Sequence, residues 1–164
     1  MDRQEREALI ARYKRGYQLI LDAIEGMTDA EWDAREAPGE WSPREVIHHL
    51  ADSEMNSAIR IRKLIIEDSP QIQGYDQEEY ARRLHYDRPI ENSLLALQAA
   101  RATSAELLDR MSDEDWQSAG THTESGPYTA HDWLRVYAEH CEEHAEQIRR
   151  AREVVVGNRE AVSR

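Results

Sequence analysis

The 164-residue chain contains no phenylalanine and a single cysteine, Cys141, which excludes an internal disulfide framework. It also lacks positive charge: 33 acidic and 21 basic residues give a formal net charge of −12. Nucleic-acid affinity rests on Lys and Arg neutralising phosphates, so we expect no nucleic-acid partner. No apolar run approaches the roughly 18 residues of a membrane span. With its lone thiol and charged N-terminal run, the chain is expected to be cytoplasmic and without a membrane partner.

The length of the chain suits one domain. At about 150 residues per domain, it can bury one core but not two independent ones. Hydrophobic residues make up 40% and charged residues 33% of the sequence, which is typical of a folded domain. We therefore expect a single domain over residues 1–156 and a frayed tail over residues 157–164.

Apolar residues recur at three- and four-residue spacing, which predicts helices, and no segment shows strand alternation of any length. The predicted long helices cover residues 9–27, 42–67, 91–111 and 129–155, with a short helix near residues 76–84. Ser42, Pro43 and Glu45 form the strongest start signal, a capping box with proline at the first helical position. The sequence thus predicts an all-α four-helix bundle with a long crossover between the second and third long helices. In an up-down bundle the second and fourth long helices run parallel.

The fourth long helix carries two histidines within its apolar face. His140 and His144 lie one turn apart, between Tyr137 and Ile148 on the inward stripe. An unpaired imidazole group in a core costs roughly 1–3 kcal/mol, so both rings need partners. One alternative is a buried pair bonded to backbone or carboxylate groups. The other is a shared metal ion, because side chains at i and i+4 can chelate one cation.

The second long helix supplies a third candidate ligand. His49, Asn56 and Arg60 line one flank of its inward stripe, whereas His48 is expected to point toward solvent or the helix edge. His49 is therefore the better metal ligand of the adjacent pair. Asp52 lies further round the same flank, where it could accept a hydrogen bond from a ligand or bind the metal itself.

Four other residues have alternatives that the sequence leaves open. Arg101, on the inward stripe of the third helix, either snorkels, pairs with an acid or binds an anionic ligand. His122 precedes the fourth helix and is either an acid/base or substrate contact at the metal pocket or a solvated loop residue. Gln147 either supports His144 or is a partly exposed glutamine. Cys141 is expected to be a small buried hydrophobe rather than a nucleophile.

Together these motifs resemble the DinB/YfiT-like family. The run from Trp41 to Asn56, with Arg60 after it, resembles the first metal-ligand helix of those proteins. Residues 137–148 resemble their paired-histidine helix, and residues 122–126 resemble the loop before it. The segment from Tyr75 to Tyr80 and Arg101 are similar to the YfiT branch. The resemblance covers about residues 5–155.

The resemblance implies a four-helix bundle with a three-histidine metal site, open positions for water or substrate, and a homodimer. The ligands carry over to His49, His140 and His144. The cofactor expected is a divalent metal, with zinc or nickel favoured and iron or manganese as alternatives. Family members with known activity are mostly thiol S-transferases that use bacillithiol, mycothiol or glutathione, while others are called metal-dependent hydrolases. Glu143 departs from the pattern, since the YfiT branch often has a further histidine there.

The leading functional hypothesis is a thiol S-transferase that joins a low-molecular-weight thiol to an electrophilic small molecule. Asn56, Arg60 and Arg101 would then orient an anionic thiol as cofactor-binding residues. The first alternative is a hydrolase that uses metal-bound hydroxide, with Asp52 or His122 as the catalytic residue that moves the proton. The second alternative is a non-catalytic metal-binding helical dimer.

Overall fold

A computed structural model describes the backbone of residues 1–162 and the side chains of residues 1–155 and 157. Four long helices form a bundle, and short elements lie in the connections between them. In chain order the elements are α1 (Arg3–Ile24), α2 (Asp29–Trp32), α3 (Pro43–Ile66), β1 (Gln71–Ile72), α4 (Gln77–Arg83), α5 (Glu91–Leu108), a 3-10 turn (Asp115–Gln117), β2 (Ala119–His122), β3 (Gly126–Thr129) and α6 (Ala130–Val162). The predicted four-helix bundle with its long crossover is confirmed.

Side-chain caps fix where the two site-bearing helices begin. At α3, the Ser42 amide donates to the Glu45 carboxylate at 2.7 Å and the Ser42 hydroxyl accepts from the Glu45 amide, which is the predicted capping box. At α6, the Thr129 amide donates to the Asp132 carboxylate at 3.0 Å. The α6 helix continues to Val162, past the predicted end near residue 155. Residues 163–164 of the predicted frayed tail lie outside the described residues.

Helices α3 and α6 run antiparallel, so the expectation that the second and fourth long helices run parallel is wrong. His49, early in α3, meets His140 in α6, whereas the later Ser57 carbonyl accepts from the Trp133 indole at 2.9 Å. Rising numbers in α3 therefore meet falling numbers in α6. His49 and His140 lie level with each other, and no axial offset between the two helices is needed to bring them together.

The crossover between α3 and α5 explains this direction. His48 contacts Ser93, and the later Arg62 contacts Ser104, so α3 and α5 run parallel. The connection that contains β1 and α4 carries the chain back along the bundle before α5 begins. The turn after α5 then reverses the chain into α6. The spacing of apolar residues does not predict whether α3 runs parallel or antiparallel to α5 and α6.

A small three-stranded sheet joins the two long connections, and the sequence prediction of no strands missed it. β1 pairs parallel with β2, and β2 pairs antiparallel with β3 through the register His122↔Gly126. Gly126 has φ +81, the left-handed conformation that favours glycine in a tight hairpin. Strands of two to four residues are too short to show alternation. His122 therefore lies on β2 and not in a loop.

Two groups of buried apolar side chains fill the bundle. One surrounds Trp116 and Trp133 near the sheet, and the other surrounds Leu50 and Leu97 near the opposite end. Among residues 1–162, no helix combines the length and the apolar character that crossing a membrane requires. The bundle interior also holds charged and polar side chains, and these build the candidate site.

Candidate metal centre

Three histidine side chains from two helices converge inside the bundle. His49 lies on α3, and His140 and His144 lie one turn apart on α6. The Nε2 atom of His140 is 3.3 Å from Nε2 of His49 and 3.2 Å from Nε2 of His144. One ligand atom from each ring lies within 4.8 Å of the other two. The structure thus brings together, as a histidine cluster, the three residues that the sequence predicts as metal ligands.

The spacing of these nitrogens fits one bound cation. Two nitrogens bound to a tetrahedral ion at about 2.0–2.1 Å lie about 3.3–3.4 Å apart. The two Nε2 separations of 3.3 Å and 3.2 Å match this value. The residues present therefore fit a divalent metal with three imidazole ligands.

Burial keeps the three imidazoles in the neutral form that binds metals. Loss of hydration lowers the pKa of His49 to about 3, with a smaller contribution from His144. Burial also lowers the pKa of His140 well below its usual range, and it lowers the pKa of His144. At neutral pH each ring therefore carries a lone pair available to a cation.

The three rings are held in different ways. The Nδ1–H of His144 donates to the Gln147 side-chain carbonyl at 2.7 Å, which leaves the lone pair on Nε2. The Nδ1 atoms of His49 and His140 are buried and have no hydrogen-bond partner among the described residues. The ring of Trp41 packs on His49 at 4.7 Å between centroids. Of the two alternatives for Gln147, support of His144 is the one observed. His49 is held by packing instead.

A cavity of about 300 Å³ opens at His144. Its walls come from the loop before α3, from the start of α4 and from Gln147. Glu40 and Glu78 give its mouth an acidic lining. Three larger surface clefts, two of about 560 Å³ and one of about 660 Å³, contain none of the three histidines. Of these cavities, the smaller one is the cavity that reaches the histidine cluster, at His144.

Asp52 is buried beside the site but is bonded elsewhere. Its carboxylate accepts from the Tyr86 hydroxyl at 2.7 Å, and its backbone carbonyl accepts from the Asn56 amide at 2.8 Å. It makes no hydrogen bond to His49 or His140, whose Nδ1 atoms have no partner. The expected contact between Asp52 and a metal ligand is thus absent among the described residues. The Asn56 side chain is thus hydrogen-bonded to the backbone of its own helix.

Arg60 and His122 lie on the sheet side of the histidine cluster. Arg60 donates to the Tyr137 hydroxyl at 3.0 Å and to the Gln73 carbonyl at 2.7 Å. Burial lowers the pKa of His122, and the positive charge of Arg60 lowers it further. His122 packs on Tyr128, and its Nδ1 accepts from the Glu124 amide, so it does not contact the three histidines. Arg60 is linked to the cluster through Tyr137, whose ring lies 5.9 Å from that of His140.

Arg101 does not face a ligand pocket, in contrast to its expected role as a cofactor-binding residue. It is 2% exposed and forms an ion pair with Glu54 at 2.6 Å. It also donates to the backbone carbonyls of Tyr13 and Tyr137. Tyr13 and Ser57 donate to Glu54 as well, so we call Tyr13, Glu54, Ser57 and Arg101 the ion-pair cluster. Of the three alternatives for Arg101, pairing with an acid is the one observed.

His48 is buried, and the expectation that it points toward solvent or the helix edge is wrong. It is 0% exposed, and its ring nitrogens contact the Ser93 hydroxyl at 2.7 Å and the Arg88 carbonyl at 2.9 Å. The flank of α3 that carries His48 packs against α5 and the segment before it. Helical spacing predicts correctly that His48 points away from the side of α3 that carries His49. It does not predict that Ser93 and Arg88 cover the side to which His48 points.

Sequence reasoning missed Glu54, Tyr75 and Tyr86. Glu54 lies four residues after Leu50 and three before Ser57, so its position on the inward face was a usable signal. Tyr75 and Tyr86 lie in the crossover, where no periodicity indicates burial. Cys141, expected to be a buried hydrophobe, is 0% exposed, and burial raises the pKa of its thiol to about 11.

Comparison with known proteins adds a family to this geometry. A family model described as the DinB superfamily matches residues 12–148, a span that contains all three histidines. A protein of Oceanobacillus iheyensis named "Putative metal-dependent hydrolase OB0782" is 34% identical over 131 residues, covering 80% of this chain and 76% of that protein. A Bacillus cereus protein named "Putative metal-dependent hydrolase" is 30% identical over 129 residues, covering 79% and 75%.

Two solved structures share the fold. YfiT from Bacillus subtilis, described as a probable metal-dependent hydrolase with an unusual four-helix bundle topology, superposes with a TM-score of 0.84 at 27% identity. The match covers 90% of this chain and 86% of YfiT. The mycothiol-dependent maleylpyruvate isomerase superposes with a TM-score of 0.72 at 12% identity, covering 87% of this chain and 60% of that one. The second likeness concerns the fold alone.

Proposed function

This chain belongs to the DinB superfamily, and from that premise we propose that it is a metal-dependent enzyme that transfers a low-molecular-weight thiol to an electrophilic small molecule. The observation that carries the proposal is the convergence of three neutral imidazole nitrogens inside the bundle, beside a cavity that reaches His144. Zinc or nickel is the proposed metal, because imidazole ligands suit both ions. A divalent cation bound there would lower the pKa of a thiol or water beside it.

The surroundings of the histidine cluster favour a thiol over water. Among the described residues, no carboxylate is hydrogen-bonded to the three histidines, and Asp52 is bonded to Tyr86. A free thiol has a pKa of about 8.5, against about 15.7 for bulk water, so a thiol needs a much smaller shift from the metal to ionise at neutral pH. In the proposed transfer, sulfur bonds to the electrophilic carbon, the leaving group departs with the electron pair of its broken bond, and the thiol proton passes to solvent.

The nucleophile is proposed to come from outside the chain. Cys141 adjoins His140 in sequence, but its thiol is fully buried and burial raises its pKa to about 11. It therefore remains protonated at neutral pH, in the form that is a poor nucleophile. We expected Asn56, Arg60 and Arg101 to orient an anionic thiol. Because Arg101 pairs with Glu54, Arg60 is the cation of this set that is left for that role; it is half-buried on the sheet side of the cluster.

Cobalt substitution tests thiol binding directly. We expect the cobalt(II)-loaded protein to develop a thiolate-to-cobalt charge-transfer band when bacillithiol, mycothiol or glutathione is added. The band should persist in Cys141→Ala, which removes the protein's own thiol, and should be lost in His140→Ala. Metal loading without a band for any of the three thiols would contradict thiol transfer.

Hydrolysis is the second candidate, and the names of the relatives favour it. The proteins at 34% and 30% identity and YfiT are all described as metal-dependent hydrolases. The test measures turnover of a panel of ester, amide and lactone substrates by the wild type and by His140→Ala. The control is His131→Ala, which removes a histidine of the same helix outside the cluster. Turnover that His140→Ala abolishes and His131→Ala retains would support hydrolysis. Metal binding without turnover of any substrate or thiol would favour a non-catalytic metal-binding dimer.

We also propose that the protein is a cytoplasmic homodimer. Met55, Ile59 and Ile66 share one face of α3, and Leu95 lies on the parallel helix α5; all four are exposed. Apolar patches of this kind commonly mark interfaces. Sedimentation of the wild type is expected to give a dimer, and Ile59→Lys is expected to give a monomer that still binds metal.

A further inference from the structure

The hydroxyl of Tyr75 is a buried polar group without a partner. It is closed to solvent and makes no hydrogen bond among the described residues. Ser53 lies close enough to lower the pKa of Tyr75, but the two hydroxyls do not form a hydrogen bond of acceptable geometry. Leaving a buried donor unpaired destabilises a fold, so such a group needs a reason.

Tyr75 is held firmly despite this unused hydroxyl. It follows β1, and the neighbouring Gly74 amide donates to the Thr123 hydroxyl at 2.8 Å, which anchors the segment to the sheet hairpin. The ring of Tyr80 packs on the Tyr75 ring at 4.5 Å between centroids. The Arg60 guanidinium lies 5.7 Å from the Tyr75 ring centroid. The hydroxyl is therefore placed by packing rather than by a hydrogen bond.

The neighbours of this hydroxyl connect it to the histidine cluster. Ser53 lies four residues after His49 on α3, and Tyr137 lies three residues before His140 on α6. Because α3 and α6 run antiparallel, Ser53 and Tyr137 lie on the same side of the cluster, about one helical turn or 5–6 Å along the bundle. Both side chains affect the pKa of Tyr75: the Ser53 hydroxyl lowers it and Tyr137 raises it. Its hydroxyl thus lies next to the layer of the three histidines.

Two features make this hydroxyl a donor to an oxygen that carries negative charge. Burial raises the pKa of Tyr75, so the phenol keeps its proton at neutral pH. Arg60, which donates to Tyr137 at 3.0 Å, brings a positive charge to the same place. A protonated phenol beside a guanidinium suits a carboxylate or a similar anionic oxygen.

We propose that the Tyr75 hydroxyl donates a hydrogen bond to a carboxylate oxygen of the substrate when the substrate lies beside the histidine cluster. This inference rests on the proposed function, because it places the substrate at the metal site. It assigns to that site a substrate class, a small molecule with a carboxylate group. It also explains why a fold would keep a buried hydroxyl unpaired: the partner arrives with the ligand.

The test compares Tyr75→Phe with Tyr80→Phe, a matched loss of a hydroxyl from the ring that packs on Tyr75. The probe is acetate, titrated into cobalt(II)-loaded protein and followed through the visible cobalt spectrum. Because a hydrogen bond to a charged group contributes strongly, Tyr75→Phe should bind acetate at least about tenfold more weakly than the wild type. Tyr80→Phe should match the wild type, and all three proteins should bind cobalt equally.

A second readout needs neither metal nor activity. Since the hydroxyl has no partner in the unliganded protein, Tyr75→Phe should leave the thermal midpoint of the metal-free protein unchanged or raise it. A lowered midpoint, or acetate binding within about twofold of the wild type, would overturn the inference while leaving the metal site intact. Failure of acetate to bind the loaded wild type would also overturn it. Failure of the wild type to bind cobalt at all would overturn the proposed function itself.

Discussion

Two polar clusters inside the bundle share helix α3, and they differ in how completely their groups are bonded. In the ion-pair cluster, Glu54 accepts from Tyr13, Ser57 and Arg101, and Arg101 also donates to two backbone carbonyls. In the histidine cluster, two Nδ1 atoms have no partner, and the three Nε2 atoms face one another. The histidine cluster is also the more open of the two, since a cavity reaches His144, whereas the Arg101 and Glu54 side chains are 3% and 1% exposed.

The comparison separates a structural use of buried polarity from a functional one. A cluster whose donors and acceptors match is complete, and it fixes the helices against one another. A cluster with converging lone pairs and unmatched nitrogens is completed by something from outside the chain. The same criterion distinguishes Arg101 from Tyr75. The Arg101 guanidinium is hydrogen-bonded to other groups of the protein, whereas the Tyr75 hydroxyl makes no hydrogen bond among the described residues.

Breaking the ion-pair cluster should have the largest effect on stability. Arg101→Met leaves the Glu54 carboxylate buried without its cation, so the free energy of unfolding should fall by about 3–5 kcal/mol. Urea denaturation of the metal-free protein measures this change. The control is Lys14→Met, which removes the exposed Lys14–Asp109 pair at 2.6 Å and should cost about 0–1 kcal/mol. A loss in Arg101→Met no larger than in Lys14→Met would show that the cluster is not structural.

Metal should stabilise the protein through the histidine cluster alone. With zinc at a free concentration 100 times its Kd, the free energy of unfolding should rise by about 2.7 kcal/mol, because the metal binds only the folded chain. The rise should vanish in His140→Ala and persist in His131→Ala. Denaturation with zinc and with a chelator measures the difference. An equal rise in His140→Ala would place the metal elsewhere.

His144 is the histidine of the cluster whose ring is hydrogen-bonded to another side chain, Gln147, and loss of that bond should have a smaller effect, on zinc affinity. Gln147→Leu removes the acceptor for Nδ1 of His144, so the ring loses its fixed tautomer and orientation. Zinc affinity measured by calorimetry should fall about tenfold, with the fold unaffected. Glu146→Gln changes an exposed residue of the same helix and should leave the affinity unchanged. An unaltered affinity in Gln147→Leu would mean that packing alone orients His144.

The sequence predicts the histidine cluster well because helical spacing is a local property. His140 and His144 share a face at i and i+4, and His49 lies on the flank of its own helix that turns toward them. The capping box at Ser42 likewise depends on residues three apart. Such features are decided by the chain within one or two turns, and they reappear in the structure.

Features decided between distant segments escape this reasoning. Whether α3 and α6 run parallel depends on the path of the crossover, and the burial of His48 depends on the presence of Ser93 and Arg88 beside it. The inward position of Glu54 follows from helical spacing, but its partner Arg101, 47 residues away, does not. The sheet forms from strands too short to leave a pattern. Neighbours, rather than propensities, determine all of these.

The sequence distance between the ligands has a consequence for synthesis. His49 and His140 are 91 residues apart, and the helix that carries His140 and His144 is the last element of the described chain. A growing chain therefore displays His49 long before its partners leave the ribosome. Any product that stops before α6 holds one imidazole of the cluster, His49, so the three-histidine cluster forms only in molecules whose synthesis has passed α6.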